Sequence, residues 1–170
     1  RCRSQLPGWQ SFHSRFEDRC NVVSIAQDAQ GEEFVTPWLE KAGATFPTLL
    51  DQRNAIGKAY GLKYVPVAIL LGADGRLARP VSMVNIDDPS FREELENWVT
   101  TGVCPPTWLE EAETGRSATL SQREQQSDSC FQKADSHLED GQRDSALDEF
   151  NRAVALDPKN WLIRKQEWAV

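Results

Sequence analysis

Apolar side chains recur along the first hundred residues in two rhythms, one of three to four residues and one of short unbroken runs. Leu6, Trp9, Phe12 and Phe16 fall on one stripe between Ser4 and Asp18, with polar residues opposite, which predicts an amphipathic helix laid on a sheet. Asn21 to Ala26 is a short strand rich in β-branched residues. Phe34, Val35, Trp38, Leu39 and Ala42 make a second stripe between Gly31 and Gly43, and Pro37 within it predicts a helix starting near Thr36, because proline is tolerated in a first turn. Asn54 is placed to cap a third helix through Ile56, Ala59 and Tyr60, which Gly61 would end. Val67 to Leu71 is wholly apolar between Pro66 and Gly72, the pattern of a central strand buried on both faces. Asp74-Gly75 supplies a tight turn from which Arg76 to Val81 returns antiparallel. Asn85 to Pro89 is a second turn, leading into a helix from Ser90 to Val99 that Gly102 ends.

Beyond this point the pattern changes. Val103 to Ser117 reads as a connector with a short helix, since Pro105-Pro106 interrupts either regular element. From Leu120 onward the pattern is helical throughout. Ala134, Gly141, Ala146, Phe150, Ala153 and Pro158 fall at offsets that resemble a tetratricopeptide repeat, two antiparallel helices with small residues where they approach. Cys130 and His137 depart from that pattern. A lone repeat leaves faces uncovered, so Asn160 to Val170 is expected to pack back on the 146–156 helix through Trp161, Ile163 and Trp168. The chain thus divides into residues 1–103, a linker 104–119 and a helical hairpin 120–170.

Charge narrows the classes of partner. In 170 residues, 19 basic and 26 acidic side chains leave a net charge of -7, and without a basic stripe a nucleic-acid backbone is excluded as the main partner. There is no membrane-spanning run of about 18 apolar residues. Cys2, Cys20, Cys104 and Cys130 are widely spaced, without a C-x-x-C pair or a neighbouring histidine, so neither zinc spacing nor a dense disulfide framework is present, and no cofactor is called for. Cys20 reads as a small buried hydrophobe at a strand edge, Cys104 as a linker thiol, and His13 as a solvated surface residue on the polar face of the first helix.

Within residues 46–75, the segments FPTLLD, YGLKYVP and LLGADG follow one another in the order "FP-x-L-x-D", "YG-x-x-x-VP", "L-x-x-x-DG". This order resembles the thioredoxin superfamily, in particular its TlpA and ResA-like branch of thiol-disulfide oxidoreductases. The resemblance covers roughly Cys2 to Gly102. It implies an α/β fold, a thioredoxin-like three-layer sandwich with a mixed central sheet and helices on both faces, followed by the small all-α tetratricopeptide-like appendage. It also implies a cis Val65–Pro66 bond beside the redox cysteines, with Val65 and Pro66 pairing with an extended substrate segment. From the residues alone, Pro66 reads as an ordinary trans proline that starts a strand.

Arg1 to Pro7, RCRSQLP, resembles the second half of "C-x-x-C-R-x-x-L-P". By that resemblance Cys2 is the resolving cysteine of a redox pair whose first member would lie two residues before Arg1, and the chain is expected to be truncated there and at Val170. The implied activity is dithiol-disulfide exchange with protein thiols and disulfides or a reductant partner, in a periplasmic or exported setting. A peroxidatic "P-x-x-x-[ST]-x-x-C" loop is absent from the sequence. The alternative reading is a redox-silent adaptor that binds a protein partner on its helical hairpin.

Overall fold

The computed structural model describes residues 2–28, 30–114 and 121–169, and side chains within these except 112–114 and 168–169. Compactness groups the chain into two units that do not follow sequence order: Arg1–Ser24 with Trp38–Pro47 and Pro66–Ala118, and Ile25–Pro37 with Thr48–Val65 and Thr119–Val170. The architecture is mixed α/β, with helices and two small sheets.

In the first unit a 3-10 turn at Arg3–Gln5 leads into α1, Leu6–Phe16. Pro7 in its first turn loses no helical hydrogen bond. Phe12 and Phe16 are buried with Leu70, Ile86, Leu95 and Trp108, each such side chain contributing roughly 1.5–3 kcal/mol by burial. β3, Val67–Ala68, pairs antiparallel with β4, Ser82–Met83, in the register Val67 to Met83 and Ala68 to Ser82. The expected hairpin forms: Leu71 bridges Leu77, and Gly75 takes a φ of 76° in the turn. Its strands are shorter than the apolar run. A central strand has a neighbour on each edge, whereas β3 has β4 as its only described partner, and Leu71 is half exposed.

α4, Pro89–Thr101, begins where expected, with Asp88 accepting from the Ser90 and Phe91 amides, and ends at a left-handed Gly102. α5, Pro106–Thr114, is the short helix expected in the connector, but it carries Trp108 into the core at 1% exposure. Trp108 packs against Trp98 with ring centres 5.6 Å apart and planes tilted by 60°, and its Nε1 donates to Glu94 Oε2 at 2.9 Å. Glu94 also accepts from the Thr107 hydroxyl, which ties α5 to α4.

In the second unit β1, Ser24–Ala26, pairs with β2, Thr48–Leu50, and the Asp51 amide donates to the Ala26 carbonyl. α2, Glu32–Ala42, which belongs to this unit only as far as Pro37, begins four residues before the expected Thr36, so Pro37 lies inside it and leaves the Glu33 carbonyl without its helical donor. α3, Ala55–Ala59, is capped otherwise than expected. Asn54 sits left-handed at φ 52° and its side chain caps nothing; Asp51 accepts from the Ala55 and Ile56 amides at 2.7 and 3.0 Å.

The C-terminal segment forms a helical hairpin, α6 at Gln122–Glu139 and α7 at Arg143–Leu156, followed by α8 at Trp161–Ala169. A capping box of Ser121 and Glu124 starts α6. Phe131, Ala134, Ala146, Phe150 and Ala153 are buried together, and Ile163 joins them from α8 as expected. Trp161 does not: it is 54% exposed, and Leu162 takes the inward position beside Ile163. The side chain of Trp168 lies outside the described residues.

Candidate active site

Cys2 is exposed at the start of the 3-10 turn, and its carbonyl accepts from the Gln5 amide at 3.2 Å. Gln5 is the residue that fixes this turn. It lies on the apolar stripe of α1, spaced with Trp9, Phe12 and Phe16, and is 5% exposed. Its Nε2 donates to the Val84 carbonyl at 3.2 Å, and its Oε1 accepts from the Ile86 amide at 3.1 Å. Val84 in turn donates to the Pro66 carbonyl at 3.4 Å. One run of hydrogen bonds therefore joins the Cys2 turn to the start of β3 at Pro66. Gly8 lets the same segment approach α1, because a Cβ there would sit 2.6 Å from Asp87 Oδ1 and 2.7 Å from Ile86 Cγ2.

Pro66, Gln5, Val84, Phe91 and Glu94 line an open cleft of about 690 Å³ beside this run. Arg79, 8% exposed, borders it with its charge already matched: the guanidinium makes a forked pair with Glu111 at 2.7–3.1 Å and lies over the rings of Phe91 and Trp108 at 5.5 and 5.4 Å. A fixed, neutralised arginine gives the cleft a rigid wall.

The other thiols are set apart by environment. Burial, then the nearby Asp18 charge, pushes the Cys20 thiol up, as suits a half-buried residue packed on the core. Burial, then the Glu149 carboxylate, does the same to Cys130, so both are poor nucleophiles at neutral pH. Cys104 is half-buried, and all four cysteines are free. Among the described residues no group of three or more His, Cys, Asp or Glu is arranged to hold a metal ion, and no helix is long and apolar enough to cross a membrane. His13, expected on a solvated face, is half-buried edge-on to Phe46 at 6.0 Å.

Of the residues singled out from the sequence, Pro66 lines the cleft, Cys2 lies one turn from the cleft residue Gln5, and Val65 is 36% exposed next to Pro66. Gln5, Gly8, Arg79 and Trp108 were not singled out. A glutamine on an otherwise apolar helical stripe was the available signal for the first; Arg79 and Trp108 carry no local one.

Residues 1–79 match the model of the AhpC/TSA family, and this part of the chain is a redoxin-type, thioredoxin-like domain. The chain is also similar to sporulation thiol-disulfide oxidoreductase A of Bacillus subtilis (strain 168), at 25% identity over 100 residues. That alignment covers 57% of this chain and 58% of the relative, so the chain spans less than two thirds of the relative's length. No solved structure matches.

Proposed function

We propose that the chain belongs to a TlpA/ResA-like thiol-disulfide oxidoreductase, with a thioredoxin-like three-layer sandwich at residues 1–103 joined through 104–119 to a tetratricopeptide-like hairpin at 120–170. Cys2 is its resolving thiol, and Val65 and Pro66 form the backbone edge that receives an extended substrate. The supporting observation is the hydrogen-bond run from Cys2 through Gln5 and Val84 to Pro66. It sets a thiol-bearing turn beside a proline-led strand and an open cleft, as exchange with a polypeptide disulfide requires.

In this reading a second thiol, paired with Cys2, is the attacking sulfur. As thiolate it attacks the substrate disulfide, forming a mixed disulfide and expelling one substrate thiolate; Cys2 thiolate then attacks the partner sulfur, forming the internal disulfide and expelling the second. Two electrons pass from the dithiol to the substrate, and no cofactor takes part. The substrates are protein disulfides, and a reductant partner restores the dithiol.

The test is insulin reduction by dithiothreitol. The 170-residue chain is expected to be inactive, while a version extended upstream through a Trp-Cys-x segment is active and loses that activity on Cys2→Ser. Equal rates for the short and extended chains would overturn the role of Cys2, and a folded but inactive extended chain would favour the protein-binding adaptor.

A further inference from the structure

Between β2 and β3 the chain carries three cations at intervals of five residues, Arg53, Lys58 and Lys63. α6 carries Glu124, Asp128, Asp135 and Glu139 at intervals of four, seven and four, which places them on one helical face. The two rows run in opposite directions and match throughout. Lys63 pairs with Glu124 and, at 3.3 Å, with Asp157 at the end of α7; Lys58 pairs with Asp128 at 2.5 Å; Arg53 pairs with Asp135 at 3.3 Å and with Glu139. Neutral bonds pin the ends of the segment: Gln132 Nε2 donates to the Arg53 carbonyl and the Trp161 amide to the Lys63 carbonyl, both at 2.8 Å.

The burial is uneven. Asp128, Asp135 and Asp157 are buried, whereas Arg53 and Lys58 are more than half exposed along their side chains. The apolar cluster of the hairpin is built from α6, α7 and α8, and no residue of the 50–63 segment belongs to it. Leu62 is the segment's buried large apolar side chain, and it too lies outside that cluster. Charge and polar bonds therefore hold the segment on the hairpin, and the hairpin core closes without it.

We propose that the acidic face of α6 is a docking surface for a basic segment, filled in this chain by its own residues 53–63. The pairing is a clasp: closed, it fixes the stretch that leads into Val65 and Pro66; open, it frees that stretch while the helices stay folded. Exposed cations facing buried carboxylates make the clasp responsive to ionic strength, since at 1 M salt the screening length falls to about 3 Å. The consequence for Pro66 rests on the redox reading given above; the clasp itself does not.

Amide hydrogen exchange on the whole chain tests it, with the peptides covering residues 50–66 read separately from those of α6 and α7. Lys58→Asp should lower protection of residues 50–66 by about tenfold, and the swap Lys58→Asp with Asp128→Lys should recover most of it, while α6 and α7 change little. Raising salt to 1 M on the unaltered chain should give the same selective loss, which keeps the test valid if a variant fails to fold. Protection of residues 50–66 indifferent to both salt and Lys58→Asp would overturn the proposal. So would loss of protection in α6 and α7 together with the segment, because the pairing would then be part of the hairpin fold. Neither outcome bears on Cys2 chemistry, which is read by insulin reduction.

Discussion

Trp108→Ala is the substitution that decides whether residues 104–119 merely connect or complete the first unit. The indole is 1% exposed, packs tilted against Trp98 at 5.6 Å, supports the Arg79 guanidinium at 5.4 Å and donates to Glu94. Truncating a fully buried large aromatic to alanine costs about 3–5 kcal/mol. Removing one of the two rings under Arg79 adds about 0.5–1 kcal/mol. Glu94 keeps its bond from Thr107, so losing the indole N–H adds little there. About 4 kcal/mol is expected, against about 1–2 kcal/mol for Trp108→Phe, which keeps most of the area and drops the hydrogen bond. The readout is amide exchange of α4, because one global unfolding energy is poorly defined for a chain of two compact units. Trp108→Ala should lower α4 protection by at least about a hundredfold, each factor of ten being about 1.4 kcal/mol. A loss below about tenfold would return α5 to the status of a connector and end the unit near Gly102.

Two further outcomes follow from the second unit. Asp51→Ala should destabilise α3 by about 1–2 kcal/mol, because its carboxylate caps two amides; α3 exchange unchanged by Asp51→Ala would refute the cap assignment. The hydrogen bond from Lys63, supported by those from Ser121, holds the Glu124 carboxyl at about 2, below its ordinary 4.5. A depressed folded-state value stabilises above pH 4.5 and is lost as pH falls toward 2, by about 1 kcal/mol after solvent screening. Glu124→Gln should remove that acid sensitivity, and parallel acid titrations of the two proteins would refute it.

The elements legible in the sequence were those written in local chemistry. α1, the Asp74-Gly75 hairpin, the Asn85 to Pro89 turn before α4 and the paired helices around Ala134 and Ala146 each follow from spacing or a turn residue. What the pattern could not show were pairings between distant segments. Asn54 stood where a cap belongs, yet Asp51 reached the same amides from three residues earlier. Pro37 should have delayed α2, but a helix already begun at Glu32 tolerates one missing donor. Val67 to Leu71 read as a central strand, since composition does not reveal how many neighbours a strand has. At the candidate site, Cys2 and Pro66 are proposed from short motifs, while Gln5 and Arg79 make their bonds to partners 32 to 81 residues away.

The staple between the Cys2 turn and the segment after β4 is made by a primary amide. A carboxylate there could accept from the Ile86 amide but could not donate to the Val84 carbonyl unless protonated, and a lysine could do only the reverse. Gln5 satisfies both at once and carries no proton that leaves between acid and alkali. The anchor beside the thiol is thus indifferent to pH, and the backbone turn that carries Cys2 is held in one geometry by bonds that no titration breaks.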